Sequence, residues 1–104
     1  MLSKMENLKR IEESGIVAVV RAENPDQAIK IAEAVKKGGI QAIEITMTVP
    51  GAIDVIKKLA ETYGNKEILI GAGSVLDAET ARICLLAGAE YIVSPALDIE
   101  YKIM

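Results

Sequence analysis

Residues 42–50 read Ala42-Ile43-Glu44-Ile45-Thr46-Met47-Thr48-Val49-Pro50, a stretch that begins as a buried strand and turns polar towards its C-terminal end. In a strand, side chains alternate between faces, so Glu44, Thr46 and Thr48 share one face while Ile43, Ile45 and Met47 share the other. A carboxyl group in the middle of an apolar strand needs a hydrogen-bond partner, a cation or a wet cavity. Two readings of Glu44 follow. It is a functional group at the end of a βα unit, or a structural carboxylate held by Arg21 or by backbone donors.

On either side of this stretch the chain repeats one pattern. Residues 3–14 carry Met5, Leu8 and Ile11 at helical spacing, which predicts a short amphipathic helix, a lid over one end of the fold, ended by Gly15. Ile16–Val20 is an apolar strand that finishes at Arg21. Asn24-Pro25-Asp26-Gln27 has the chemistry of a helix start: a capping side chain, a proline at the first helical position and a glutamine able to close a capping box. That helix buries Ala28, Ile31, Ala32 and Val35 and should stop at Gly38-Gly39.

After Ala42–Thr48, Pro50 opens a predicted helix to about Tyr63, packing through Ile53, Ile56, Leu59 and Ala60, with Gly64 as its C-cap. Ile68–Ser74 is the third strand, Asp77 caps a helix running to Gly88, and Tyr91–Ser94 is the fourth strand, stopped by Pro95. Asp98–Met104 can begin another helix. The strand starts at Ile16, Ala42, Ile68 and Tyr91 recur at near-constant intervals. Sequential βα units with short loops require right-handed crossovers and a parallel sheet.

Composition narrows the chemistry. The 104 residues are 51% hydrophobic with a formal net charge of -3, and contain no Phe, Trp or His. A core of Ile, Val, Leu, Ala and Met suits strands buried on both faces. Lack of histidine excludes a histidine general base, a Ser-His-Asp triad and a His-based zinc site. The one cysteine, Cys84, allows no disulfide framework and no metal cluster, and beside Ile83 and Leu85 it reads as a small buried hydrophobe. No basic stripe points to nucleic acid. The longest apolar runs are strand-sized, and no signal-peptide core precedes the first strand, so a cytoplasmic protein without membrane contact is the expectation.

Arg21, Glu44, Thr46, Thr48, Ser74 and Ser94 all fall at or near C-terminal strand ends, where (β/α)8 barrels place their chemistry. This favours a barrel over an open doubly wound sheet, with four units making half of it. The inner face of such a half cannot stay exposed to water. It must pair with another copy, rearrange or belong to a longer chain.

Gly71-Ala72-Gly73-Ser74 offers small residues that let a ligand approach the backbone, with a hydroxyl at the end; tight strand-to-helix packing explains it equally well. It lacks the third glycine of a dinucleotide fingerprint. Arg21, following Val17 and Val19 on one face, can bind an anion, pair with Glu44 or simply face solvent. Ser94 before Pro95 is a candidate ligand or a plain strand terminus, and Tyr91 reads as structural. Lys30, Lys36, Lys37, Lys57 and Lys58 fall on helices and Lys66 in a loop, so none is a strand lysine suited to Schiff-base work.

Taken together, Ile16-Val17-Ala18-Val19-Val20-Arg21, Ile43-Glu44-Ile45-Thr46-Met47-Thr48, Gly71-Ala72-Gly73-Ser74-Val75-Leu76 and Ile92-Val93-Ser94-Pro95 closely resemble the 2-keto-3-deoxy-6-phosphogluconate / 4-hydroxy-2-oxoglutarate aldolase family. The resemblance runs over essentially the whole chain. It implies a (β/α)8 TIM barrel of about twice this length, usually a homotrimer, of which residues 1–104 are the N-terminal half. The implied activity is that of a class I aldolase releasing pyruvate from a small keto acid, without a cofactor or a metal. Glu44 then matches the glutamate that shuttles protons through a bound water. Ser74 matches the hydroxyl residue that binds the pyruvyl carboxylate, and Arg21 a basic position at the mouth.

Thr46, Gly73 and Ser94 complete the implied substrate-binding set. Many members carry Arg where this chain has Thr48, so carboxylate recognition would lean on Thr48, Ser74 and neighbouring amides. The implied Schiff-base lysine belongs to strand six, and much of the phosphate site to the last two βα loops. Neither lies within these residues, so the 104-residue chain by itself is expected to be inactive. Two other readings stay open: a non-catalytic half-barrel that self-associates as a dimer or larger assembly, and a sugar-phosphate isomerase or epimerase barrel using Glu44 as its base.

Overall fold

Strands β1 (Val17–Val20), β2 (Ala42–Thr46), β3 (Leu69–Gly73) and β4 (Tyr91–Ile92) alternate with helices α1 (Lys4–Ser14), α2 (Pro25–Lys37), α3 (Ala52–Glu67) and α4 (Ala78–Ala87) in the computed structural model, which describes residues 4–95. The predicted start of a helix at Asp98 lies outside the described residues. All strand pairs are parallel and the spatial order is β1-β2-β3-β4. When each strand lies beside its sequence neighbour, right-handed crossovers put every connecting helix on the same face. This is part of a (β/α)8 barrel rather than a doubly wound sheet.

The outer face of the sheet carries the core. Val20, Ile43, Ile45, Ile68, Ile70 and Ala72 meet Ala28 and Ala32 of α2, Val55, Ile56 and Leu59 of α3, and Ala81 and Cys84 of α4. Each large aliphatic side chain in this layer contributes roughly 1.5–3 kcal/mol by leaving water. The opposite face carries Val19, Glu44, Gly71 and Tyr91 in one row, because Val19 pairs with Glu44, Glu44 with Gly71, and Gly71 with Tyr91.

Local chemistry sets the helix boundaries. Asn24 Oδ1 accepts from the Gln27 amide at 2.8 Å, and Pro25 takes the first helical position of α2. Gln27 does not close a box onto Asn24; its Oε1 accepts from the Glu23 amide at 2.8 Å, one residue earlier. Asp77 caps α4 through the Thr80 amide, and Gly88 ends it in the left-handed region. Replacing Asn24 by Ala is expected to lower unfolding stability by about 1 kcal/mol, read as a lower urea midpoint at unchanged m-value.

Several boundaries and faces differ from the sequence reading. α3 begins at Ala52, not Pro50, because residues 47–51 form turns ending at Gly51 with φ +70°. Gly64 does break that helix (φ +63°), but a further helical turn follows to Glu67, so Lys66 lies in this segment and not in a loop. Regular β4 stops at Ile92, although the Val93 amide still donates to Ala72 O at 2.8 Å.

α1 is the clearest correction. Met5 and Leu8 are exposed, and Asn7 is the buried residue, donating from Nδ2 to Glu90 O at 2.8 Å and to its carboxylate at 3.3 Å. α1 packs on β2 and β3. Since Glu90 immediately precedes β4, the helix closes the N-terminal end of the sheet, and the opposite end is left as a mouth.

Candidate active site

Glu44 sits midway along β2, between Val19 and Gly71, and is only 8% exposed. Its side chain leans towards the C-terminal end of the sheet, across Gly73. A Cβ at Gly73 would fall 2.6 Å from Glu44 Cδ and 2.8 Å from Cγ. The gap in β3 that the sequence presents as an approach for a ligand is thus occupied by Glu44 itself. Gly71 plays the same part for Tyr91, whose ring covers it. Two glycines on one strand face make room for two larger side chains from the neighbouring strands.

Burial pushes the Glu44 carboxyl above the usual carboxylate range, with the Arg21 guanidinium pulling in the opposite direction more weakly. Arg21 follows β1 at the mouth and is exposed. Its field reaches Glu44 without a direct ion pair, so the carboxylate is not locked to it.

Thr46 is fully buried, with Oγ1 at 3.4 Å from Val20 O and at 2.7 Å from Thr48 Oγ1. Thr48 lies in the turn after β2 and is exposed. The two hydroxyls therefore form a short chain from the sheet to the rim. Ser74, directly after β3, is the one non-glycine residue with positive φ (56°) among the described residues. A serine held there marks a strained turn of the kind that concentrates at functional positions. Ser94 lies two residues beyond β4 and is half-buried.

Arg21, Glu44, Thr46, Thr48, Gly73, Ser74 and Ser94 thus gather at the C-terminal ends of four adjacent strands. The strands themselves carry no lysine among the described residues. No group of three or more acidic or cysteine side chains among the described residues is placed to hold a metal ion. Cys84 is a buried residue of α4 with Sγ 3.7 Å from Met47 Sδ, and burial pushes its thiol up to about 11.

Comparison with known proteins closes the question of kinship. The family described as "Aldolase: KDPG and KHG aldolase" matches residues 7–102. This chain belongs to the KDPG and KHG aldolase family. Within it, a 2-dehydro-3-deoxy-phosphogluconate aldolase of Treponema pallidum is 32% identical over 98 residues, covering 94% of this chain and 44% of the relative. The corresponding aldolase of Zymomonas mobilis is 37% identical over 85 residues, covering 82% and 39%. Among solved structures, a KDPG aldolase from Legionella pneumophila with pyruvate captured as a covalent carbinolamine superposes with a TM-score of 0.75 at 32% identity, covering 84% of this chain and 41% of that one. The chain spans less than half the length of the KDPG and KHG aldolases it matches.

One residue beside these candidates is not among those named by sequence. The Tyr91 hydroxyl oxygen is enclosed, has no hydrogen-bond partner among the described residues, and stands within the field of Glu44. Its position at the start of a strand suggested packing. The usable signal was its in-register alignment with Gly71, which only the sheet reveals.

Proposed function

We propose that these residues form the proton-transfer side of a class I aldolase that cleaves 2-keto-3-deoxy-6-phosphogluconate to pyruvate and glyceraldehyde 3-phosphate, or 4-hydroxy-2-oxoglutarate to pyruvate and glyoxylate. One observation carries this reading: a buried carboxyl on the inner face, raised in pKa by burial and not held by an ion pair among the described residues. A carboxyl poised nearer neutrality than a free one can both take and give a proton within a cycle.

The cleavage requires a lysine amine, which these residues do not supply and which a further part of the barrel would bring. The amine adds to the keto carbon, and loss of water gives an iminium. Glu44, through a water, carries the proton that lets hydroxide depart as water. It then takes the proton from the C4 hydroxyl as the C3–C4 bond breaks, the bonding electrons passing to the iminium. Returned to C3, that proton yields pyruvate on hydrolysis. Ser74 and Thr48, with nearby amides, suit the pyruvyl carboxylate, Arg21 an anionic portion of the substrate, and Thr46, Gly73 and Ser94 line the same mouth.

Borohydride reduction in the presence of pyruvate tests this. The natural polypeptide carrying residues 1–104 and the second half of the barrel is expected to gain a reduced pyruvyl adduct on lysine and to turn over one of the two substrates. Residues 1–104 alone are expected to gain none. A natural polypeptide that neither traps pyruvate nor cleaves either keto acid would sink the reading. A homotrimer in the cytoplasm is the expected setting of the whole enzyme.

A second reading rests on Val19 and Val93, which are 52% and 41% exposed at the inner face beside the edges of β1 and β4, which pair with no further strand among the described residues. Open parallel edges and bare apolar side chains favour self-association. Expressed alone, residues 1–104 should sediment as a dimer or larger species. No described helix is long and apolar enough to cross a membrane.

A further inference from the structure

We propose that Thr46 is a positioning residue for the substrate carboxylate and acts on it through Thr48. Its buried hydroxyl donates to Thr48 Oγ1 and so turns the Thr48 hydrogen outward to the anion. Thr46 lies beneath the rim, 1% exposed, and meets a ligand in the mouth only through its neighbour. Thr48 is exposed in the turn that follows β2. Gly73, the register partner of Thr46, directly precedes Ser74, so Thr48 and Ser74 leave the sheet from adjacent strand ends.

Each hydroxyl has one hydrogen to give and lone pairs with which to receive. Two arrangements of the pair satisfy the 2.7 Å contact between Thr46 Oγ1 and Thr48 Oγ1, in which either oxygen can be the donor. In the inward one, Thr48 donates to Thr46, and Thr46 donates to Val20 O at 3.4 Å. Thr48 then shows the mouth its lone pairs and suits a ligand that donates. In the outward one, Thr46 donates to Thr48, whose own hydrogen is left for an acceptor in the mouth.

Distance decides what the change from one to the other costs. An O–H···O bond normally spans about 2.5–3.0 Å. The 2.7 Å bond lies in that range and is kept in both arrangements. The bond given up on turning outward is the 3.4 Å one to Val20 O, well beyond it. An ionised carboxylate accepts and does not donate, so it selects the outward arrangement. A hydroxyl that is itself receiving a hydrogen bond is also the stronger donor. The buried threonine thus makes the exposed one a directed donor at the β2 corner of the mouth.

This inference rests on the reading of the site as one for a keto acid, and pyruvate is the probe. Its apparent affinity is measured by titration calorimetry on the natural polypeptide, in the parent and in Thr46→Val, Thr48→Val and the double variant. Thr48→Val removes the donor to a charged acceptor and should weaken binding by about 10–100-fold. Thr46→Val keeps the side-chain shape and should weaken it by about 3–10-fold. In the Thr48→Val background the Thr46 change should have no further effect, since it acts through that hydroxyl. Thr46→Ser restores the hydroxyl and should recover most of the affinity. Thr46→Ala gives the same cycle if the valine variant folds poorly.

Full additivity of the two changes, no loss on removing the Thr46 hydroxyl, or a loss in Thr46→Ser equal to that in Thr46→Val would overturn the proposal and leave the aldolase reading in place. A parent protein that does not bind pyruvate would overturn both.

Discussion

On the proposed aldolase reading, Glu44→Gln should reduce retro-aldol turnover of the complete barrel by about 10²–10⁴-fold, the range that one positioned proton carrier contributes. The amide matches the carboxyl in size and keeps its polar atoms above Gly73, so the sheet should be undisturbed. Stability should move the other way. Burial raises the Glu44 carboxyl in the folded protein above its ordinary value of 4.5. Between the unfolded and folded values the native state therefore binds more protons than the unfolded chain, and stability falls as pH rises through that window. Above it the ionised carboxylate is a standing cost that glutamine does not incur. Glu44→Gln should therefore be more stable than the parent at pH 7, and this gain should vanish once the pH falls below the unfolded value. Urea unfolding at both ends of the window checks the sign. A variant less stable at pH 7 would mean that Glu44 holds the fold together after all.

The second large effect separates the two glycines of β3. Gly73→Ala places a methyl group on the Glu44 side chain. That side chain is flexible and ends at the mouth, so it should swing aside with a stability loss of less than about 1 kcal/mol. Misplacing the carboxyl by an ångström or more is a different matter for chemistry, and turnover should fall by about 10²-fold. Gly71→Ala places its methyl against the Tyr91 ring, which is rigid and enclosed at its far end. Here the overpacking should cost about 1–3 kcal/mol. Activity and urea midpoint measured on both variants would show one glycine guarding catalysis and the other guarding the fold. Equal losses in both quantities at both sites would refute that division.

Much of this arrangement is legible along the chain because its causes are local. Asn24 and Asp77 specify helix starts through bonds to residues three positions away, and Pro25 through its fixed φ at the first helical position. Alternation in Glu44-Ile45-Thr46 separates an outer face that packs from an inner face that faces the mouth. What escaped the sequence depends on distant partners. Met5, Leu8 and Ile11 form a plausible apolar stripe, yet α1 is oriented by Asn7, whose partner Glu90 lies 83 residues away. Gly73 looks like space for a ligand until the register of β2 against β3 fills it with Glu44. Tyr91 looks like packing until β4 is aligned with β3. Strand identity was written in the sequence. Strand register was not, and the site depends on register.

The order β1-β2-β3-β4 matches the order of synthesis. No strand has to wait for a distant partner, since each one emerging from the ribosome finds its template already laid down beside it. Loop closure between successive strands spans one helix at most, which keeps the entropic barrier to each addition low. Assembly can therefore proceed vectorially, one βα unit at a time, with an exposed growing edge that moves from β1 to β4. Glu44 acquires its neighbours in the same sequence: Arg21 is in place before it, the glycine gap of β3 arrives next, and Tyr91 closes the row last.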